Sequence, residues 1–482
     1  MAYNIRLKDT SENAVYPLTL YKNLVEEDEK PAMLVEVKDF PALPYNVYKL
    51  PSGKYVVEDI LAKRTEPFTD YYVDSSSGSD ANAGTTEDAP FQTIKKALTS
   101  AANKCARITI LNDNAMFWVD DLYGEFATKK SLIIRAKTVA NMITAVKEPG
   151  FTLSSGYSST YESADLSSYS CKSSAGVYGV IDLDSTNVDT MGLYLPYSNV
   201  ASAAEVEATA GTCYYDADTG KMYVHPLKDI STVHPMCSTY KFRFNLSTAV
   251  EDTMLYLENL NIIAGFYMAG RGAASETDTK TLEFIAKNCI FQHNIAADGI
   301  PVSNYNVGYL IDCVCGYSKP DCFNYHATNL TESQIKKTVY VEVNCQAEEA
   351  GYYSEAFAIK SYINNLSTAH EGVNILRVNF TGRHGMGPMI ADVNGCRSVC
   401  IDCHVFNTKY DFTAGSNMGC YTFNESNAKH NGKATCVNCY GYDSRDDVPV
   451  LNSTVTNTEV RGGNLLDHAD GFTVSGDLMI LN

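Results

Sequence analysis

The chain has 482 residues, 45% of them hydrophobic and 20% charged, and a formal net charge of −19 at pH 7. That charge excludes the basic footprint of nonspecific nucleic-acid binding and disfavours docking on an anionic membrane surface. No apolar run approaches the roughly 20 residues needed to span a bilayer, and the opening MAYNIRLKDTSENAVYPLTL lacks the apolar segment of a secretory signal.

Residues 1–68 are expected to form a small N-terminal domain, bounded by the charged, proline-bearing stretches EEDEKPAM and EPFTD. Tyr71-Tyr72-Val73 then predicts a short strand, SSSGSDANAGTTED a turn-rich loop, and Pro90 the start of a helix. Ile94, Ala97, Leu98 and Ala101 follow at helical spacing and give that helix one apolar face. Strands are expected at Arg107–Leu111 and Ser131–Ile134. DLDSTNVD, residues 182–189, is acidic but lacks the Gly and terminal Glu of a calcium loop, so it reads as an ordinary loop. CYYDADTGKMYVHP, residues 213–226, predicts a Tyr-rich hairpin with His225 at its end.

From residue 255 a motif recurs: LYLENLNI, EFIAKNCIF, GYLIDCVCGY, VYVEVNCQA, ILRVNFTG, SVCIDCHVF and TCVNCYGY. Each is a short β-branched strand, then Asn or Asp, then Leu, Cys or Phe. The polar positions are Asn259, Asn288, Asp312, Asn344, Asn379, Asp402 and Asn438, spaced by 29, 24, 32, 35, 23 and 36 residues. A fixed motif with variable insertions predicts a solenoid of stacked coils. The Asn or Asp tolerates left-handed backbone at a corner and can form a ladder along the stack. The residue after it (Leu260, Cys289, Cys313, Cys345, Phe380, Cys403 or Cys439) points inward, which makes these cysteines buried free thiols in a narrow core. Cys313-Val314-Cys315, Cys400-Ile401-Asp402-Cys403 and Cys436-Val437-Asn438-Cys439 also carry metal-ligand spacings, but they fall on strands of the repeat.

The segment YYVDSSSGSDANAGTTEDAPFQTIKKAL resembles the entry segment of right-handed parallel β-helix proteins of the pectate-lyase-like superfamily. The match runs through Gly78-Ser79-Asp80, Asn82, Gly84-Thr85 and Pro90-Phe91-Gln92-Thr93-Ile94. The resemblance implies an all-β fold: a right-handed parallel β-helix over residues 69–460, an N-terminal capping helix, and a C-terminal tail or cap at 461–482. The first twenty residues resemble the start of tail-associated proteins of phages that infect Gram-positive bacteria. That implies a virion protein made in the host cytoplasm without a signal peptide, with the N-terminal domain joined to other tail proteins. The resemblance to tailspikes implies a protein, usually a homotrimer, whose β-helix binds a bacterial surface polysaccharide, with its depolymerisation as a further expectation. A non-catalytic adhesive or structural virion protein is the alternative, and a bacterial polysaccharide lyase or hydrolase comes third.

Counted from the ladder, Asp298, Asp321, Asp411 and Asp447 fall nine or ten residues on, with Glu355 and Asp392 slightly later. Such a line of carboxylates could cap turns, bind a cation or supply an acid–base pair. DCFNYH, STAHEGVNILRVNF and TGRHGMGPMIADVNG then concentrate ionisable groups within 72 residues. Their mixture of acids, His and Arg suits glycan cleavage. The expected catalytic set is Asp321, His326, His370, Glu371, His384 and Asp392, with Arg377, Arg383, Tyr317 and Tyr325 contacting substrate. No metal ligand is assigned and no cofactor is expected, although calcium is left open by the carboxylates. No phosphate-binding loop, dinucleotide fingerprint or nucleophile elbow is present.

Overall fold

The structure is a computed structural model. It describes residues 5–9, 33–37, 39–122, 124–169, 179–186, 193–237, 242–295, 297–353, 364–407, 420–425, 432–443, 450–455, 458–465 and 479–480. The chain is all-β, with long parallel sheets built from successive coils, an arrangement compatible with a β-helix solenoid. One sheet stacks the strands before each corner, so that Tyr309 pairs with Val341, Val341 with Leu376 and Leu376 with Val399. A second follows the corner, where Val314 pairs with Gln346, Gln346 with Thr381 and Thr381 with His404. A third carries Ile300–Ser303, Phe323–His326, Ser367–Ala369, Ile390–Asp392, Tyr421–Phe423 and Leu451–Ser453, all parallel.

The corner residues line up as the repeat requires. Asn259, Asn288, Asp312, Asn344, Asn379, Asp402 and Asn438 all have left-handed backbone, with φ between 51° and 60°. Their side chains bond up the stack: Asn288 Nδ2 donates to Asn259 Oδ1 (2.7 Å), Asn344 to Asp312 (2.8 Å), Asn379 to Asn344 (2.9 Å) and Asn438 to Asp402 (2.7 Å). The chain of bonds is interrupted at each Asp, because a carboxylate has no proton to pass to the Asn below it. Behind the corner, Leu260, Cys289, Cys313, Cys345, Phe380, Cys403 and Cys439 are all fully buried in one continuous core. Fourteen cysteines lie among the described residues, all free and all buried except Cys105.

The entry segment folds as a strand, a loop and a helix, Ile94–Ala101, whose Ile94, Ala97, Leu98 and Ala101 are buried. Pro90 does not start that helix. Thr93 is its N-cap, with the side chain accepting from the Lys96 N–H. Asp80 bonds the Gln92 and Thr93 N–H groups (2.9 Å each), while the Pro90 carbonyl holds Asn82 Nδ2 at 2.8 Å. Gly84, at φ +69°, lies against the Phe91 ring, where a Cβ would come within 2.2 Å of it. The predicted hairpin is present, with Thr212–Asp216 antiparallel to Lys221–His225 and Tyr214 opposite Tyr223. Val180–Thr186, which includes the first part of DLDSTNVD, is a strand instead of a loop.

The N-terminal part forms its own antiparallel sheet from Ile5–Asp9, Met33–Val37, Val47–Lys49 and Tyr55–Val57. Its apolar face is not its own. Val35, Tyr45, Val47, Tyr55 and Ile60 share a core with Tyr309, Val341, Leu376 and Val399 on the outside of the first sheet. Polar contacts fix the seat: Lys49 Nζ and Tyr55 Oη bond Asp402 at 2.7 and 2.6 Å, and Tyr45 Oη bonds Glu283 at 2.7 Å. Strand sequences such as VYVEV therefore bury both faces, one against the solenoid interior and one against this sheet.

Candidate active site

The third sheet places one polar cluster on its outer surface. On the strand Phe323–His326, Phe323 and Tyr325 face the core, so Asn324 and His326 face outward. One coil on, the strand Ser367–Ala369 is followed by His370 and Glu371, the latter with left-handed backbone (φ 59°). His326 Nδ1 lies 3.2 Å from both Glu371 oxygens, and the Ala327 N–H donates to Glu371 Oε2 at 2.9 Å. The His326 and His370 rings stack with centroids 4.2 Å apart and planes 11° apart. His370 Nε2 lies 3.2 Å from Thr368 Oγ1.

The electrostatics divide the cluster. Burial would raise the Glu371 carboxyl, but the hydrogen bond and charge of His326 and the Ala327 N–H outweigh it and hold the group below its ordinary value. Burial, reinforced by the charge of His326, takes His370 down to about 4, so its imidazole is neutral at pH 7. Asp298 and Asp321 move the other way. Burial raises both carboxyls, and the charge of Asp298 raises Asp321 further. Asp321 is anchored by the Asn365 N–H (2.6 Å) and Asn324 Nδ2 (2.8 Å), and its own N–H reaches Asp298 Oδ1 at 3.3 Å. Such a pair titrates as a unit and retains a proton where an isolated carboxyl would lose it. His326 links the two halves, since its charge also acts on Asp298.

Asn324 is 4% exposed, and its Oδ1 has no hydrogen-bond partner among the described residues. Neither Asp298 nor Asn324 belongs to the expected catalytic and substrate-contacting set. Asn324 could have been found by period two, because it precedes His326 by two residues on one strand.

The other expected residues are elsewhere, which corrects several expectations. Arg377 is fully buried inside the solenoid, because it shares register and strand parity with Glu342 and Cys400. It makes a bidentate pair with Asp392 (2.7 and 2.8 Å), and its Nε donates to Ser367 Oγ at 2.7 Å. Asp392 is 2% exposed, and Tyr325 lies beside this group at 0%. A polymer cannot reach these three residues. Tyr317 is also covered, 2% exposed and stacked on His293 with planes 6° apart. Arg383 ends a strand of the second sheet and His384 follows it. Arg383 Nε bonds buried Glu348 at 2.9 Å, and His384 Nδ1 stands 3.4 Å from Glu349 Oε1. Glu355, Asp411 and Asp447 lie outside the described residues.

His326, His370 and Glu371 are the one group of three metal-competent side chains among the described residues, with donor atoms within 4.8 Å of one another. Near-parallel imidazoles aim their lone pairs along parallel planes rather than at a common point. The stacked arrangement therefore suits a hydrogen-bonded His–Glu pair better than a metal centre.

No protein-family model matches the sequence, and no curated protein does. Solved structures that align with this one include a glycoside hydrolase, 8% identical over 85% of this chain and 96% of its own, with a TM-score of 0.49. A structure described as a complex of XylC with xylose is 10% identical over 82% and 69% of the two chains, at TM-score 0.48. The tailspike protein gp49 from Pseudomonas phage LKA1 is 11% identical over 81% and 71%, at TM-score 0.24.

Proposed function

We propose that this chain is a parallel β-helix that binds a polysaccharide and cuts it at the outer cluster of the third sheet. The observation that carries the reading is the opposite tuning of neighbouring carboxyls, with Asp298–Asp321 pushed up and Glu371 held down around one histidine. Pairs tuned apart in this way can divide acid and base work. Asp298, the more exposed of its pair, donates its proton to the glycosidic oxygen as the C–O bond breaks. Glu371, with His326, takes a proton from the water that attacks the sugar carbon. The atoms of one water are thereby added across the bond, and the proton returns to Asp298 through solvent.

The polymer in this reading is a bacterial surface polysaccharide, and the chain is a tailspike-like virion protein working as a homotrimer. The first twenty residues and the set of free thiols support that context. Incubation with capsule and wall glycans from candidate hosts, followed by an assay for reducing ends or unsaturated uronates, tests the reading. New ends that disappear with Glu371→Gln and with Asp298→Asn are expected. Saturable glycan binding without new ends would replace catalysis with adhesion.

A further inference from the structure

Strand register brings two histidines together. Tyr325 pairs with Ala369 on the next coil, so the residues that follow them, His326 and His370, take the same place on successive rungs, about 4.8 Å apart. Their rings stack as a result. His370 is held at both ends: its backbone N–H donates to the Tyr325 carbonyl at 3.0 Å, and Thr368 Oγ1 lies 3.2 Å from its Nε2. His326 is held at one nitrogen only. Its Nδ1 lies 3.2 Å from both Glu371 oxygens, while its Nε2 has no hydrogen-bond partner among the described residues and is not shut off from solvent. The side chain is 30% exposed.

An ionised carboxylate can only accept, so Nδ1 carries the proton of that contact and the lone pair of the neutral ring falls on Nε2. Glu371 is in that form: burial raises its carboxyl, but His326 and the Ala327 N–H together bring it below its ordinary value. Either member of the pair could take a proton from water. We infer that His326 Nε2 is the atom that does so, with Glu371 orienting the ring through Nδ1 and His370 acting as a positioning residue stacked against it. The water gives a proton to Nε2 as its oxygen bonds the sugar carbon, and the Asp298 proton goes to the leaving oxygen. The imidazolium keeps its Nδ1 proton toward Glu371 and later releases the other to solvent. A base keeps its aim only when neighbours lock its rotamer, and the stacked ring does that. Burial and the charge of His326 keep His370 neutral at pH 7, so it sets no second positive charge against the imidazolium. The acids around His326 are Glu371 and, on the preceding coil, Asp298 with its partner Asp321. The catalytic use of Nε2 rests on the proposed glycan cleavage; the tautomer and the stack do not.

Nitrogen-15 NMR of the full chain reads the tautomer, because a protonated and a lone-pair ring nitrogen resonate far apart. The signal missing from His326→Gln identifies the residue. With its ring neutral, His326 is expected in the Nδ1–H form. Glu371→Ala should shift it to the Nε2–H form that a free side chain favours. His370→Phe keeps a stacking ring and should leave the tautomer as it is, whereas His370→Ala should move it partway toward Nε2–H. On a glycan that the protein cuts, His326→Gln should lower the rate by about 10²–10⁴-fold, and no loss would overturn the inference. So would an Nε2–H ring in the wild-type protein or an unchanged tautomer in Glu371→Ala, and the wild-type spectrum decides the point even where a variant fails to fold. Equal spectra for His370→Phe and His370→Ala would remove the positioning role. The Nδ1–H tautomer without glycan cleavage would leave the His326–Glu371 pair as assigned and remove its catalytic use. Cleavage by a chain whose His326 carries Nε2–H would leave the cleavage and overturn the inference.

Discussion

Two polar clusters lie on neighbouring coils, one outside the third sheet and one inside the solenoid. Outside, His326, His370 and Glu371 are half-buried around a left-handed corner. Inside, Arg377, Asp392, Glu342 and Ser367 are 0–2% exposed and bond one another. Tyr325 and His326 are consecutive, yet the first belongs to the inner cluster's surroundings and the second to the outer one. Both groups mix acids with basic side chains within one stretch of sequence, so composition does not separate them. Strand parity does: it leaves one half-buried at the outer surface and closes the other inside the solenoid.

The largest expected effect is on the outer side. Glu371→Gln should lower glycan cleavage by about 10²–10⁴-fold, the range for losing a positioned acid or base, while the urea midpoint moves little. Reducing-end assays beside denaturation curves check both halves. On the inner side, Asp392→Ala leaves a buried guanidinium without its bidentate partner and should cost about 3–5 kcal/mol of stability. If that variant unfolds like the wild type, the inner cluster is not structural.

Glu342 sharpens the comparison by pH. Burial raises its carboxyl to about 7, despite Arg377 and Ser367 nearby. An unfolded Glu ionises near pH 4.3. Between those values the unfolded chain releases a proton that the folded chain keeps. The stabilising effect of the raised value is therefore complete below about pH 4 and fades as pH rises to 7. Glu342→Gln should flatten that part of the stability profile, and an unchanged slope in urea titrations from pH 4 to 8 would contradict the assignment. The smallest effect concerns the corner ladder. Asp312→Asn supplies the missing donor toward Asn288 and should stabilise by about 0.5–1.5 kcal/mol. Asp402→Asn should not, because Asp402 also anchors Lys49 and Tyr55.

The ladder was readable because it is local. Asn at a positive-φ corner followed by an inward small residue repeats at each coil, and both the coil stacking and the buried thiols follow from it. The third sheet was harder. Its strands are three or four residues long and carry no repeated motif, so the parity of His326 against Tyr325, or of His370 against Asp392, could not be set from sequence. Counting from the ladder placed Asp298 and Asp321 in one column, but it also placed buried Asp392 near it, since insertions shift both position and face. The seat of the N-terminal sheet was invisible for another reason. Val341 and Leu376 look like ordinary strand residues whether water or a second layer covers them.

Carbodiimide labelling of carboxyls in the native protein, read residue by residue by mass spectrometry, tests the parity directly and needs no knowledge of the glycan. Glu371 and Asp298 should take the label under native conditions, while Asp392 and Glu342 should take it only after unfolding. Native labelling of Asp392 at the rate of Glu371 would contradict the division into an outer reactive cluster and an inner structural one.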